Sequence, residues 1–300
     1  MHINIAKVFP SNPRVLIQGA TGKEGQRALN AMRAYGTNVV AGVTPGKGDT
    51  TVSHVPIFDS VAQAVKFCGH IDMAVQFVPP LRTLAATMEA LAAGIPFVLV
   101  GAEKVPVHDA LRMVDAAKKR EAMLIGPGSV GMICPRLKLK IGMIGGDTPE
   151  RAFASGNIAV LSKSGGMTSE IALALKSQKL GVSLACGIGG ERIVGSDFAD
   201  TLEILEHDEH TKAAVIFGEI GGFAEERVAK AVKKKIFTKP LVAFIVGEFV
   251  AQLNSEVSFG HTGAILDGGR GTVLQKRETL REAGVRIAEQ FDDIVPLLME

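Results

Sequence analysis

The sequence predicts an α/β protein built from two doubly wound parallel sheets, and three observations support this. Short apolar runs alternate with longer segments of helical periodicity along the chain, and runs that are apolar on both faces are typical of parallel strands covered by helices. Glycine-rich turns follow several of these runs, where a strand would lead into a helix. The length of 300 residues fits two domains of about 150 residues each.

The first half of the chain predicts strands and helices in regular alternation. The strands are expected at 15–17, 39–43, 73–77, 97–100 and 123–125. The helices are expected at 25–35, 60–67, 83–93 and 109–120. A repeated strand–helix–strand order predicts a doubly wound sheet.

The second half repeats the pattern. Its strands are expected at 158–161, 184–186, 214–217, 241–245 and 285–287. Its helices are expected at 168–179, 198–206, 225–234 and 272–283. The glycine- and proline-containing segment 126–131, GPGSVG, is the expected join, so we predict domains at 1–130 and 131–300.

The turn after the first strand, residues 19–25, reads GATGKEG. Its glycines permit a tight turn and a close approach of backbone N–H groups to a phosphate at a helix start. The spacing differs from the nicotinamide fingerprint G-x-G-x-x-G. After the second strand, where a dinucleotide enzyme places an acid, the chain has Lys47 in a glycine turn. A lysine prefers a phosphate, whereas the acid expected at this place in a dinucleotide enzyme holds the ribose, so NAD is the weaker prediction. Each turn could also be a plain connection between a strand and a helix.

Three glycine-rich turns follow strands of the second half, at 162–168, 187–196 and 218–222. In a doubly wound sheet such turns gather at the carboxyl ends of the strands, where ligands bind. The first opens a helix, so its Ser164, Gly165 and Gly166 are candidate anion contacts. Glu219, in the third turn, is either a solvated loop carboxylate or a functional one.

The segment 255–271, SEVSFGHTGAILDGGRG, holds one histidine, His261, among glycines. Small neighbours would let a phosphate or another reacting group approach the imidazole closely. A histidine in a glycine-rich surface turn is the alternative, and local sequence alone does not choose between them.

Composition excludes several classes of function. Lys and Arg number 33 against 31 Asp and Glu, and the chain has no Trp and one Tyr, so neither a basic surface for nucleic acid or membrane nor a base-stacking platform is expected. The three cysteines are widely spaced, which indicates no disulfide framework and no metal site. No signal peptide and no membrane span of about 18 apolar residues is recognised. A reducing cytoplasm fits best.

Six motifs together carry a resemblance to a known family. They read QGATGKEG (18–25), GVTPGKGDT (42–50), SKSGGMTSE (162–170), GIGGERIVGSDF (187–198), GEIGG (218–222) and FGHTGA (259–264). In this order the chain resembles, over nearly its whole length, the alpha subunit of succinyl-CoA synthetase and the matching part of ATP-citrate lyase, members of the NDP-forming acid-CoA ligase superfamily.

The resemblance implies a Rossmann-like CoA-binding domain followed by a flavodoxin-like ligase domain. It implies that His261 carries phosphate and that Glu219 hydrogen-bonds and orients its ring. The implied CoA-binding residues are Gly19, Thr21, Gly22, Lys23, Gly25, Lys47, Val78 and Pro79. The implied phosphate- or substrate-binding residues are Ser129, Ser164, Gly165 and Gly166.

The family reaction implies a partner. A nucleoside triphosphate phosphorylates the histidine, the phosphoryl group passes to a carboxylate, and the CoA sulfur attacks the acyl phosphate; phosphorylation turns a carboxylate oxygen into a leaving group. In the family, ATP or GTP with Mg²⁺ is bound by an ATP-grasp beta subunit. We therefore expect a heterodimer or heterotetramer.

Departures from the succinyl-CoA synthetase pattern bear on the acid. Ser129 stands where the family segment GPNCPG has cysteine, and Gly165-Gly166 replaces Gly-Thr. The latter, with Ser255-Glu256-Val257, is closer to ATP-citrate lyase. A smaller side chain leaves room for a bulkier polyanionic acid, so succinate, malate, citrate and sulfonated acids all stay open. Because no citrate-synthase-like segment follows, we expect the thioester itself as product.

Two other classes of function remain as alternatives. A nicotinamide oxidoreductase would bind NADH rather than CoA, and the missing acid after the second strand argues against it. A non-catalytic CoA-binding sensor would not need a phosphate carrier, so the chemistry of His261 separates it from a ligase.

Overall fold

Two mixed, mainly parallel seven-stranded sheets flanked by helices form the structure, a computed structural model that describes residues 10–248, 261–264 and 271–300. The predicted two-domain α/β class is confirmed. Residues 255–257 and 259–260 of the motifs quoted above lie outside the described residues.

The first sheet has the order β3-β4-β2-β1-β5-β6-β7. All neighbouring strands are parallel except the β3–β4 pair, which is antiparallel. Without β3, this is the strand order of a Rossmann fold. The strands are β1 Val15–Gln18, β2 Val39–Val43, β3 Thr50–Val52, β4 Val55–Phe58, β5 Met73–Gln76, β6 Phe97–Val100 and β7 Met123–Ile125.

Four helices connect these strands. They are α1 Lys23–Tyr35, α2 Val61–Cys68, α3 Thr83–Ala92 and α4 Val107–Lys119. The central strands are fully buried, which explains their continuous apolar sequences. Helix α1 ends at Gly36, whose φ of 119° is a conformation that favours glycine.

The second sheet has the order β14-β13-β12-β10-β11-β8-β9. Its five strands from β14 to β11 are parallel and have the flavodoxin-like order, while β8 and β9 extend the edge in antiparallel fashion. The strands are β8 Gly131–Cys134, β9 Leu139–Gly142, β10 Ser155–Ser162, β11 Val182–Gly187, β12 Ala213–Glu219, β13 Leu241–Val246 and β14 Arg286–Ala288.

Five helices accompany the second sheet among the described residues. They are α5 Gly165–Ser177, α6 Phe198–Glu206, α7 Ala224–Lys233, α8 Val273–Glu282 and α9 Ile294–Met299. Both α5 and α6 begin at side-chain caps: Ser164 accepts from the Met167 N–H, and Asp197 forms a capping box with Asp200.

The segment between the two parallel sheets contains strands that were not predicted from the sequence. It contains the antiparallel strands β8 and β9, and the first belongs to the second sheet from Gly131 onward. Both strands are short and contain glycine, so they lack the long apolar run that marks the parallel strands. The division at 130/131 stays a prediction.

Candidate functional site

His261 and Glu219 lie in hydrogen-bond contact. Glu219 is the last residue of β12, and its Oε2 is 2.6 Å from His261 Nδ1. The His261 side chain is 36% exposed and that of Glu219 only 10%. With an ionised carboxylate, Nδ1 carries the proton and donates it, so the lone pair lies on Nε2. The pair presents one nucleophilic nitrogen to its surroundings.

The hydrogen bond with Glu219 is the main cause of a shift in the pKa of His261. It raises the pKa of His261 above its ordinary value, and the nearby charges of Glu219 and Glu103 act in the same direction. Partial burial and the charge of Lys163 act against it. Since an opposite charge favours the protonated ring, the carboxylate also controls the pH at which Nε2 is available.

A turn after β11 holds the histidine in place. A Cβ added to Gly190 would lie 2.5 Å from the His261 ring carbon Cγ, so the ring packs directly on this glycine. The Gly263 N–H donates to the Gly190 carbonyl at 3.0 Å. Only a residue without a side chain allows this approach.

A buried network of charges lies beside the pair. Glu225, fully buried in α7, pairs with Lys163 Nζ at 3.2 Å and also with the buried Lys276 of α8. Its Oε1 additionally accepts the N–H of Glu219 at 3.2 Å. Burial would raise the pKa of Glu225, but the two lysines outweigh it and hold the pKa below its usual range. Of the two lysines, Lys163 also lines the cavity that contains His261, so its ammonium group is the cation of this network that a ligand can reach.

Helix α5 begins next to this network. Ser164 caps it, and the Ser164 N–H is already engaged with the Ser162 hydroxyl at 3.0 Å. The N–H groups of the first turn, which include those of Gly165 and Gly166, have no partners within a helix. An added Cβ at Gly165 would meet Val130 at 2.8 Å, whereas at Gly166 the nearest atom is 4.0 Å away. Packing therefore explains the glycine at 165 but not the one at 166.

A cavity of about 500 Å³ opens between the two domains in front of His261. From the first sheet it is lined by residues that follow β5 and β6, including Val78 and Glu103. From the second it is lined by Ser129, Lys163 and Gly165. The carboxyl ends of both sheets thus meet at one cleft, as open α/β sheets place their ligand sites.

The residues predicted to bind CoA lie together at the carboxyl edge of the first sheet. The turn 19–25 follows β1, and its Thr21 N–H donates to the Thr44 hydroxyl of the turn that carries Lys47. On the other side, an added Cβ at Gly19 would meet the Phe77 carbonyl oxygen at 2.2 Å, just before Val78 and Pro79. Gly25 packs equally closely on Gly19. Of this set Val78 lines the 500 Å³ cavity, and Glu24, the residue after Lys23, lines it as well.

Ser129 lines the cavity, but its hydroxyl has a structural use. It donates to the Gly187 carbonyl at 2.5 Å and accepts the Gly131 N–H at 3.1 Å. These bonds connect the segment before β8 to the end of β11. A contact with substrate through this hydroxyl would compete with them, so its predicted substrate role stays a prediction.

Sequence reasoning did not single out several residues of this site. Lys163, Gly190, Glu191, Glu225 and Lys276 all lie within motifs or helices that were noted, yet their partners are far away in sequence. A lysine directly before a glycine-rich helix start was the one local signal for Lys163.

Comparison with known proteins identifies the family. Residues 10–104 match the CoA-binding domain model, and residues 161–286 match the CoA-ligase model. The alpha subunit 2 of an ADP-forming succinate–CoA ligase from Archaeoglobus fulgidus is 40% identical over 296 residues, 99% of either chain. The chain belongs to the family of ADP-forming CoA ligase alpha subunits.

Other members of this family and its structural neighbours differ in their acids. A subunit of an ADP-forming sulfoacetate–CoA ligase from Bilophila wadsworthia is 39% identical over 289 residues, 95% of either chain. ATP citrate lyase from Methanothrix soehngenii, solved with citrate and coenzyme A, matches with a TM-score of 0.88 at 28% identity over 97% of this chain. The chain spans half the length of that lyase. The resemblance stated from the motifs is confirmed.

The family also decides between two predictions for the first domain. Its match to a CoA-binding domain supports the prediction of CoA over that of a nicotinamide cofactor. Among the residues that the structure describes, no helix combines the length and apolar character needed to cross a membrane.

Proposed function

We propose that this chain is the catalytic alpha subunit of a heteromeric acid–CoA ligase that works through phosphohistidine at His261. The observation that carries the proposal is the 2.6 Å contact of His261 Nδ1 with Glu219, beside a cleft lined by both domains. It leaves Nε2 as the nucleophile on the ring. The relatives named for succinate–CoA and sulfoacetate–CoA ligation support the reaction class.

The proposed reaction has three steps, and His261 takes part in the first two. Nε2 attacks the terminal phosphorus of ATP or GTP, and the nucleoside diphosphate leaves. The oxygen of an organic acid then takes the phosphoryl group as the P–N bond breaks. The CoA thiolate attacks the acyl carbon, and inorganic phosphate leaves with formation of the thioester. Positioning and electrostatics supply most of the catalysis in such transfers.

The phosphoryl group is received by the start of α5 and by Lys163. Ser164, Gly165 and Gly166 form the positive end of this helix, which favours an anion. Lys163 lines the cavity that holds His261 and is only 10% exposed, so its charge is weakly screened. Its pairing with Glu225 fixes the ammonium group next to the histidine.

CoA, as substrate, fits the carboxyl edge of the first sheet. Gly19, Thr21, Gly22, Lys23 and Gly25 offer the turn and helix start for a phosphate. Lys47 would pair with another phosphate of CoA. Val78 and Pro79 would contact the part of CoA that extends into the cleft. The close approach at Gly19 and Gly25 shows a turn that tolerates no side chains there. CoA supplies the thiol that attacks the acyl carbon.

The acid is polyanionic in this proposal. Succinate, malate, citrate and sulfonated short acids share two or more negative charges, which suit the Lys163 ammonium group and the positive end of helix α5. In the described part of the chain, no neighbouring side chain packs closely on Gly166, which leaves space beside the helix start. An ATP-grasp beta subunit would bring Mg²⁺ and nucleotide in a heterodimer or heterotetramer, in the cytoplasm.

The test is phosphorylation of His261. The chain, reconstituted with its partner subunit and Mg-ATP, is expected to acquire an acid-labile, alkali-stable phosphate on His261 that His261→Asn lacks. Addition of CoA and each of the four acids in turn should discharge the label and yield one thioester. Label on another residue, with His261 unmodified, contradicts the mechanism. A labelled chain is also incompatible with a non-catalytic sensor.

A further inference from the structure

The carboxylate of Glu191 connects the two domains across the cleft. One oxygen, Oε1, accepts the backbone N–H of Lys104 at 2.6 Å. The other, Oε2, accepts the hydroxyl of Thr262. Residue 191 is separated from these partners by 87 and 71 positions in the sequence.

Both partners are next to functional groups. Lys104 follows directly on Glu103, and the segment 101–103 lines the 500 Å³ cavity from the first domain. Thr262 follows directly on His261, and its hydroxyl oxygen also accepts the Arg192 N–H at 3.0 Å. Glu191 therefore has the wall of the cleft on one side and the histidine segment on the other.

The backbone around Glu191 is itself well fixed. We call residues 189–192 the bridging turn. An added Cβ at Gly189 would lie 2.4 Å from the Pro127 carbonyl oxygen, and further along the Gly195 N–H donates to the Gly126 carbonyl at 2.9 Å. The backbone that carries Glu191 is thus held against residues 126 and 127. We therefore expect the carboxylate to fix the positions of Lys104 and Thr262 rather than to adapt to them.

We propose that Glu191 is a positioning residue that sets the place of His261 relative to the segment 101–104 of the first domain. An ionised carboxylate that accepts two hydrogen bonds at once forms stronger bonds than neutral groups do. Glu191 does not line the cavity in front of His261 and acts through Thr262. This inference rests on the proposed function, because the positions matter when acyl phosphate at His261 meets the thiol bound by the first domain.

The two halves of the reaction depend on this link differently. Phosphorylation of His261 needs the ring, the partner and the nucleotide. Thioester formation also needs the correct position of the ring relative to the first domain. Small misplacements of reacting groups lower a reaction rate strongly. Loss of the link should therefore slow the second half more than the first.

The experiment compares four single variants in the reconstituted enzyme. Glu191→Ala removes both bonds of the carboxylate. Thr262→Ala removes the bond on the histidine side and also the acceptor of the Arg192 N–H, and Thr262→Ser keeps the hydroxyl for both. Glu209→Ala, an exposed loop carboxylate before β12 at the opposite edge of the sheet, is the matched control. Phosphohistidine formation from Mg-ATP and discharge of preformed phosphohistidine by acid and CoA are measured separately, with the KM for CoA.

We expect Glu191→Ala and Thr262→Ala to slow the discharge on the order of tenfold, while labelling stays equal to that of the control. A variant that combines Glu191→Ala with Thr262→Ala should be no slower than either single variant, because both changes break the same connection. Thr262→Ser should behave as the unchanged chain does. Equal losses in both halves, additive losses in the double variant, or no loss at all would overturn the inference.

A second measurement separates this inference from the proposed function. Amide hydrogen exchange of the alpha chain alone needs no activity and reports local opening. Peptides that contain residues 261–263 should exchange faster in Glu191→Ala and Thr262→Ala than in Thr262→Ser or Glu209→Ala. Exchange at Lys104 should rise in Glu191→Ala alone. If the unchanged chain takes no phosphate on His261, the proposed function fails, while exchange rates equal in all variants remove the role of Glu191.

Discussion

The pairing of His261 with Glu219 shows how one hydrogen bond sets both the direction and the acidity of an imidazole. Nδ1 is held at 2.6 Å from the carboxylate, which turns Nε2 outward. The same contact raises the pKa of the ring. The hydrogen bond that orients the ring therefore also keeps it protonated to a higher pH. In acid the two effects oppose each other, because the protonated ring is well oriented but has no lone pair on Nε2.

Glu219→Gln separates these effects. The amide oxygen can still accept from Nδ1, but the negative charge is gone, so the pKa of His261 should fall toward its ordinary value. Because the protonated ring has no lone pair on Nε2, the acid limb of phosphohistidine formation should move to lower pH. Stability should change in the corresponding sense: the unchanged chain gains from this pair below a pH of about 6.5 and loses the gain as pH rises through the raised pKa.

The measurement is the rate of His261 labelling as a function of pH, together with an NMR titration of the ring in the alpha chain alone. Both should move in the same direction. An acid limb and a ring titration that stay where they are in the unchanged chain would show that the carboxylate does not control the proton of His261.

At the scale of elements, one buried carboxylate joins three segments of the second domain. Glu225 belongs to α7, Lys163 precedes α5, and Lys276 belongs to α8. Because Glu225 and Lys276 are fully buried and Lys163 is only 10% exposed, water does not readily replace a lost partner. The network therefore both holds these helices together and keeps the Lys163 ammonium group beside the histidine.

Glu225→Ala should destabilise the chain by about 3–5 kcal/mol, because it leaves the fully buried Lys276 and the nearly buried Lys163 without their shared carboxylate. Glu282→Ala is the matched control, since its pair with Lys233 at 3.5 Å is exposed on α8, and exposed pairs contribute about 0–1 kcal/mol. Urea unfolding of both variants measures the difference. A loss of the same small size in both would mean that the network contributes no more than a surface pair.

The sequence predicted elements where burial determines their composition. Strands such as β6 and β12 are continuous apolar runs because both faces are covered, and their bounds were predicted to within two residues. The hairpin strands β3 and β4 were both missed. Residues Thr50–Val52 of β3 are largely exposed and carry no apolar run. Residues Val55–Phe58 of β4 form a run of four residues that is interrupted by Pro56, a residue that is unfavourable inside strands. The contacts of Lys163 and Glu191 were missed for another reason: their partners lie in other elements, and periodicity says nothing about which loops meet.

At the scale of the whole molecule, the first helix of one domain lies on the edge strand of the other. Helix α1 starts at the glycine turn predicted to hold CoA and packs with its carboxyl end against β9. Just beyond α1, the buried Thr37 hydroxyl donates to the Lys140 carbonyl at 2.8 Å and accepts the Lys140 N–H at 2.9 Å. The exposed Arg27–Asp147 pair adds a surface contact at 3.1 Å. A small buried contact outside the cleft thus joins the two domains.

Thr37→Val should test how much this contact contributes to joining the domains. Valine has nearly the shape of threonine, but it leaves a buried N–H and a buried carbonyl of Lys140 without a partner, at about 1–3 kcal/mol each. We expect urea unfolding to show a loss of that order, with Thr37→Ser close to the unchanged chain because it keeps the hydroxyl. We also expect thioester formation to fall more than labelling of His261, since only the former needs both domains in register. Equal unfolding midpoints for valine and serine at this position would show that packing of α1 on β9, rather than this pair of hydrogen bonds, holds the cleft.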